Sequence, residues 1–161
     1  MKKQKGFSLI ELLIVVAIIL IIAAIAIPNL LRSRMAANDA SAVGSLSIIN
    51  TPEVNYTTTY PAQGFAALGS LGGTAATCAT ATGATSTGAC LIDNVLASTA
   101  IKSGYAFTAT AGGGTPAVTY FSKALPSVVG QSGQRAFCSD QSGVIRYNAG
   151  GTACANTDNT L

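Results

Sequence analysis

An uninterrupted apolar run near the N-terminus constrains this chain more than any other feature. Residues 12–27 contain no polar side chain, and residues 7–27 contain only Ser8 and Glu11. As a helix, residues 7–27 would be ~32 Å long, which matches the hydrocarbon thickness of a bilayer. Lys2, Lys3 and Lys5 precede the run. The pattern predicts a segment that enters a membrane and is long enough to cross it.

Two ordinary interpretations of this segment compete with a more specific one. A secretory signal peptide would explain the basic start and the Ala-x-Ala sequence at residues 24–26. Its apolar region, however, normally has about 7 to 15 residues and no acid at its entrance. A generic membrane anchor explains the length but gives Glu11 no role, although an acid in such a segment is costly and usually functional.

The third interpretation rests on residues 5–13, which read KGFSLIELL. This sequence resembles the processing motif of type IV prepilins and of type II secretion pseudopilins, and the likeness continues to about residue 35, through Pro28 and Arg32. The resemblance implies that a prepilin peptidase/methyltransferase cuts after Gly6 and methylates the new amine of Phe7. It also implies that Glu11 guides assembly.

The same resemblance implies a function and a location. The subunit would wait in the inner membrane as a single-pass protein and then join an extracellular pilus, a helical homopolymer of its own copies. A cytoplasmic ATPase and a membrane platform protein would supply the work. A pseudopilin of a secretion system remains the alternative within the family. Outside it, the alternative is a secreted, disulfide-bonded domain with an ordinary signal peptide.

Composition argues against catalysis and against nucleic-acid binding. Charged residues make up 9% of the 161 residues, histidine is absent, and there are six acidic residues, so the usual acid-base and metal-binding groups are scarce. We therefore expect no catalytic residues, no metal and no cofactor. The net charge of +3 comes from the first six residues, because six basic and six acidic residues remain beyond them. No basic stripe is left for nucleic acid.

Four cysteines follow the apolar run: Cys78, Cys90, Cys138 and Cys154. An even number without Cys-x-x-Cys spacing favours disulfides in an oxidising compartment over a zinc or redox site. Of the three possible connectivities we predict the local one, Cys78 with Cys90 and Cys138 with Cys154. Asp140 and the three residues after it are predicted to form a turn, since one acid is too few for a calcium loop.

Helical periodicity continues beyond the apolar run. Met35, Ala42, Leu46 and Ile49 recur on one helical face. Pro28 predicts a kink or a locally unwound stretch within this helix. Residues 51–53, Thr-Pro-Glu, predict that the helix is interrupted there.

The remaining sequence predicts a β-rich head. Residues 69–90 consist largely of Gly, Ala, Ser and Thr and predict a surface loop, and residues 91–101 predict a short helix. Strands are expected near residues 105–110, 117–121, 135–139 and 144–148. The fold class is α+β: a long N-terminal helix, apolar and protruding in its first half and amphipathic in its second, packed on a small antiparallel sheet of about four strands. We expect a leader at residues 1–6, a membrane or filament-core helix at 7–28, its amphipathic continuation at 29–60 and the head at 61–161.

Overall fold

The computed structural model describes residues 7–79 and 83–161. Gly6 therefore lies outside the described residues. The chain divides into two compact units, Met1–Arg34 and Met35–Leu161. One helix, α1, runs through Leu9–Thr59 and so contributes residues to both units. It is unbroken at Pro28, and the kink expected there stays a prediction.

The interruption expected at residues 51–53 is wrong, because α1 continues through them to Thr59. Proline costs an interior helix one backbone hydrogen bond and crowds the preceding turn. Here Pro52 and Glu53 are both buried, with Ile49 and Tyr56 on the same helical face. Packing of this face compensates for the local cost, and tertiary contacts override residue propensity in this way.

The second unit contains a six-stranded sheet in which every neighbouring pair is antiparallel and the spatial order follows the chain. All four predicted strands are present, with shifted ends. Two short strands at the sheet edges, β1 Ile101–Lys102 and β6 Asn159–Thr160, were not predicted, because two residues are too few to show an alternating pattern. The bounds are β1 Ile101–Lys102, β2 Tyr105–Gly112, β3 Thr119–Pro126, β4 Ala136–Asp140, β5 Arg146–Asn148 and β6 Asn159–Thr160.

The core of this unit lies between one face of the sheet and the second half of α1. Ala42, Leu46 and Ile49 of the predicted helical face are fully buried, whereas Met35 is half-buried. From the sheet, alternate residues of β2, among them Tyr105 and Phe107, point into the same cluster. Period-two burial against a helical stripe is what a helix packed on a sheet requires. The α+β prediction is confirmed.

The segment between α1 and the sheet is more structured than predicted. Two short helices, α2 Leu68–Leu71 and α3 Ala75–Cys78, interrupt the loop expected at residues 69–90. Leu71 is fully buried, so even this segment, which is poor in large apolar groups, contributes a side chain to the core. The short helix expected at residues 91–101 is a π-helical turn, Val95–Thr99, with Leu96 buried.

Candidate assembly site

The first unit presents an apolar helical surface that no other described residue covers. Phe7 is 77% exposed, and a window of eighteen residues within α1 that could cross a membrane is 0% buried. Among the described residues, α1 is the one helix long and apolar enough for this. Isolated exposed apolar side chains are ordinary, but a continuous surface of them marks an interface with lipid or protein. Its large apolar side chains include Leu12, Leu13, Ile14, Val15, Val16, Ile18, Ile19, Leu20, Ile21, Ile22, Ile25, Ile27 and Leu30.

Glu11 closes the N-terminal end of α1. The helix begins at Leu9, which makes Ser8 the N-cap residue and Glu11 the third residue of the first turn. The backbone N–H of Ser8 donates to Oε2 of Glu11 over 2.9 Å, and the N–H of Leu12 donates to the carbonyl oxygen of Ser8 over 3.3 Å. Ser-x-x-Glu with this reach-back bond is one half of a capping box. The carboxylate keeps Oε1 for a second donor.

In the second unit, Asp39 joins α1 to the sheet. Its carboxylate is 5% exposed and accepts hydrogen bonds from the hydroxyl of Tyr105 over 2.6 Å and from Nε of Arg135 over 3.2 Å. The backbone N–H of Gln134 donates to the same carboxylate over 3.4 Å. Burial, followed by the hydrogen bond to Asp39, raises the pKa of Tyr105 above its usual value, so the hydroxyl keeps the proton that it donates.

A second polar contact lies three helical turns further along α1. The amide of Asn50 donates from Nδ2 to Oγ of Ser139 over 2.9 Å, while its Oδ1 accepts from the hydroxyl of Tyr120 over 3.0 Å. An asparagine amide can donate and accept at once, and this one does so between β3 and β4. Asn50 and Asp39 together fix the position of α1 on the sheet.

Glu53 is a fully buried carboxyl group without a cationic partner among the described residues. Its Oε2 accepts the backbone N–H of Ala66 over 3.0 Å, and its Oε1 has no hydrogen-bond partner. Desolvation raises the pKa of Glu53 from 4.5 to about 7, although the bond from Ala66 works in the opposite direction. The group therefore titrates near neutral pH.

Disulfides join Cys78 to Cys90 and Cys138 to Cys154, which is the local connectivity predicted from the sequence. The second bond lies against the sheet face opposite α1, where Phe121 and Leu125 pack on it. It ties β4 to the C-terminal segment. The turn expected after Asp140 is also present, and Oδ1 of Asp140 accepts the backbone N–H of Ser142 over 2.9 Å.

Comparison with known proteins bears on the N-terminal part of the chain. Residues 1–27 match the family described as a prokaryotic N-terminal methylation motif. A stretch of 39 residues is 67% identical to the type IV wide pilus major component PilA4 of Thermus thermophilus. The N-terminal segment is therefore similar to that of type IV pilins. The matched stretch covers 24% of this chain and 30% of the relative, less than a third of either, and no solved structure matches the chain.

The residues predicted from the N-terminal motif lie at or just before the start of α1. Phe7 and Glu11 lie within two turns of each other at the start of α1, while Gly6 lies outside the described residues. Sequence reasoning missed the roles of Asp39 and Glu53. For Asp39, the available signal was an acid three residues from Ala42 on the apolar face of the predicted helix. Glu53 lies four residues after Ile49 but within the predicted interruption, so its position on the buried face followed only from the continuation of α1.

Proposed function

We propose that this chain is the structural subunit of a type IV pilus. It is cleaved after Gly6, methylated on the amine of Phe7, and polymerised through its N-terminal helix into an extracellular filament. The named function of the relative, a major pilus component, supports this proposal. The cysteine pairs are structural, and the protein acts mechanically rather than as an enzyme.

The exposed apolar surface of α1, directly behind the methylation motif, carries this proposal. Large apolar side chains cover all sides of the helix over residues 9–22, so no soluble arrangement of a single copy buries them. Lipid can cover this surface before assembly, and a bundle of identical helices can cover it afterwards. The same apolar surface of α1 is therefore covered by lipid in a membrane intermediate and by other subunits in a helical polymer.

We further propose the division of labour along the chain that the sequence predicts. Residues 1–6 are a leader, and residues 7–28 span the inner membrane before assembly and form the filament core afterwards. Residues 29–60 are the amphipathic continuation of this helix, and residues 61–161 form the β-rich head. The prepilin peptidase/methyltransferase acts on the leader. An assembly platform protein and a cytoplasmic ATPase supply the work of assembly.

The N-terminal mass of the mature protein tests the processing step. A mature chain that begins at Phe7 with one added methyl group is expected. A chain that begins at Ile27 would instead show an ordinary signal peptidase cut after residues 24–26 and would overturn the proposal in favour of a secreted domain.

Imaging of cell-surface filaments tests the polymer. We expect this chain to be the main protein of purified filaments and to be absent from filament preparations of a strain that lacks the prepilin peptidase. Detection only in a secretion complex, with no surface filament, would favour the pseudopilin alternative.

A further inference from the structure

The charged groups that border the apolar segment of α1 are spaced to match a bilayer. Residues 12–31 contain no ionisable side chain, and Glu11 and Arg32 flank them. With a rise of 1.5 Å per residue, Glu11 and Arg32 lie ~32 Å apart along α1, close to the hydrocarbon thickness of a membrane. When the acid lies at one boundary, the arginine lies at the other, among the lipid phosphates.

Arg32 and its neighbour Arg34 are both available for such a contact. Both side chains are exposed, and within the described part of the chain neither forms an ion pair or a hydrogen bond. Two residues correspond to roughly 200° around a helix, so the two guanidinium groups leave α1 on nearly opposite sides. They can therefore contact lipids on both sides of the helix at one depth.

We propose that Arg32 and Arg34 bind lipid phosphate groups and set the depth of α1 in the membrane before assembly, an inference that rests on the proposed function. A guanidinium group offers a planar fork of donors that pairs with phosphate oxygens in a bidentate manner. Arginine side chains at helix ends also extend towards the interface while their methylene stems stay against apolar chains.

A carboxylate on a second copy is the competing partner, and the charges of this chain disfavour it. Five of the six acidic side chains lie in the second unit and accept hydrogen bonds within their own chain: Asp39, Glu53, Asp93, Asp140 and Asp158. The sixth, Glu11, lies at the other end of the apolar segment, so on a second copy at the same depth it is ~32 Å from Arg32 along the helix direction. Phosphate, by contrast, is present at high density on every lipid surface.

Solid-state NMR tests the contact directly. The full-length chain, labelled with ¹³C at Cζ of arginine, is reconstituted at low density into phosphatidylcholine vesicles in a phosphate-free buffer. Dephasing of the arginine carbon signal by ³¹P then reports short distances to lipid phosphate. We expect roughly half of the signal to dephase, because Arg32 and Arg34 are two of the four arginines, beside Arg135 and Arg146.

The double variant R32Q/R34Q is the matched control, since it retains both head arginines. Its remaining signal is expected not to dephase. A wild-type signal that is not dephased, as a carboxylate partner would produce, overturns the inference, and so does dephasing that persists in the double variant. Carbonate extraction of the same vesicles distinguishes a failure of the phosphate contact from a failure of the proposed membrane segment. Protein that stays in the membrane without a phosphate contact refutes only the inference, whereas protein that is extracted refutes the membrane segment and the inference together.

Discussion

The hydroxyl of Tyr105 on β2 donates a hydrogen bond to the buried carboxylate of Asp39 on α1 over 2.6 Å, between residues 66 positions apart in sequence. A Cβ atom added at Gly133 would overlap the ring of Tyr105, so the loop that carries Gly133 also closes against this pair. The contact links the helix, the sheet and this loop at one point. Because Asp39 is almost fully buried, its carboxylate is stable in the interior only while its hydrogen-bond donors stay in place.

Removing either member of this pair should destabilise the head. Tyr105→Phe leaves a buried carboxylate with one donor fewer and should cost about 1–3 kcal/mol of unfolding free energy. Asp39→Ala removes the acceptor of both Nε of Arg135 and the N–H of Gln134, and it should cost about 3 kcal/mol, the upper end of that range. Thermal unfolding of the full chain in detergent, followed by near-UV circular dichroism, measures the change.

The exposed ion pair between Lys102 and Asp93 supplies the control for the Asp39 variants. Its charged atoms are 3.8 Å apart, and the side chains of Lys102 and Asp93 are 36% and 48% exposed. Asp93→Asn should therefore change stability by less than about 1 kcal/mol. Equal losses for the exposed and the buried pair would contradict the role given to Asp39.

Glu53 should make the stability of the head fall as pH rises. Its pKa is raised from 4.5 to about 7 in the folded state by desolvation, so the folded chain binds the proton more tightly than the unfolded chain. The favourable contribution is present below pH 4.5 and is lost as pH rises through 7. A shift of this size corresponds to about 3 kcal/mol between pH 4 and 8.

Glu53→Gln tests this titration, because the amide oxygen can still accept the N–H of Ala66 without carrying a charge. The variant should match the wild type near pH 4 and exceed its stability near pH 8, as measured by thermal unfolding across that range. Parallel stability curves for the two proteins would show that Glu53 does not titrate in this window.

The two disulfides should differ in importance. The disulfides join cysteines with sequence separations of 12 and 16. In the chain-entropy model, closing a loop of this length stabilises the fold by about 3 kcal/mol. Cys138 is fully buried beside Phe121, whereas Cys78 is exposed. Replacing Cys138 and Cys154 by alanine should therefore lower the unfolding temperature more than replacing Cys78 and Cys90. The opposite ranking would place the dominant restraint in the segment around α2 and α3.

Glu11 should be needed for assembly and not for insertion or cleavage. Glu11→Leu removes a charge from an apolar segment and should enter the membrane at least as well as the wild type. It should still be cut after Gly6. In the filament we expect this carboxylate to pair with the cationic amine of Phe7 on a neighbouring subunit. Its removal should leave that amine without an acceptor in a low-dielectric core, and filament yield should fall.

Glu11→Gln separates the two interactions of the carboxylate. Glutamine can keep the hydrogen bond from the N–H of Ser8 but cannot neutralise an amine. Quantitative immunoblots of sheared filaments should show low yields for both variants. Normal yields for Glu11→Gln would assign the residue's importance to helix capping, and abundant filaments from Glu11→Leu would remove its role in assembly.

Gly6→Val should block processing. The resemblance to prepilin substrates implies that the peptidase accepts little beyond the smallest side chain before the cut. Uncut precursor should accumulate on immunoblots of membrane fractions, with Ser8→Ala, which leaves the cleavage position unchanged, as the control. Cleavage of Gly6→Val at the normal rate would place the processing site elsewhere.

The sequence by itself determined the features that depend on neighbouring residues. The membrane-length apolar run, the methylation motif, the buried helical face at Ala42, Leu46 and Ile49, and the position of four strands all follow from composition or from periods of two and 3.6 residues. Such patterns need no knowledge of distant partners.

Only the tertiary structure decided the features that depend on contacts between distant residues. α1 continues through Pro52 because the adjoining helical face is buried, and Asp39 is stable in the interior because Tyr105 and Arg135 reach it from the sheet. Likewise, β1 is a strand because it pairs with β2. In each case the free energy comes from burial and hydrogen bonds between segments far apart in the chain, and no local pattern records it.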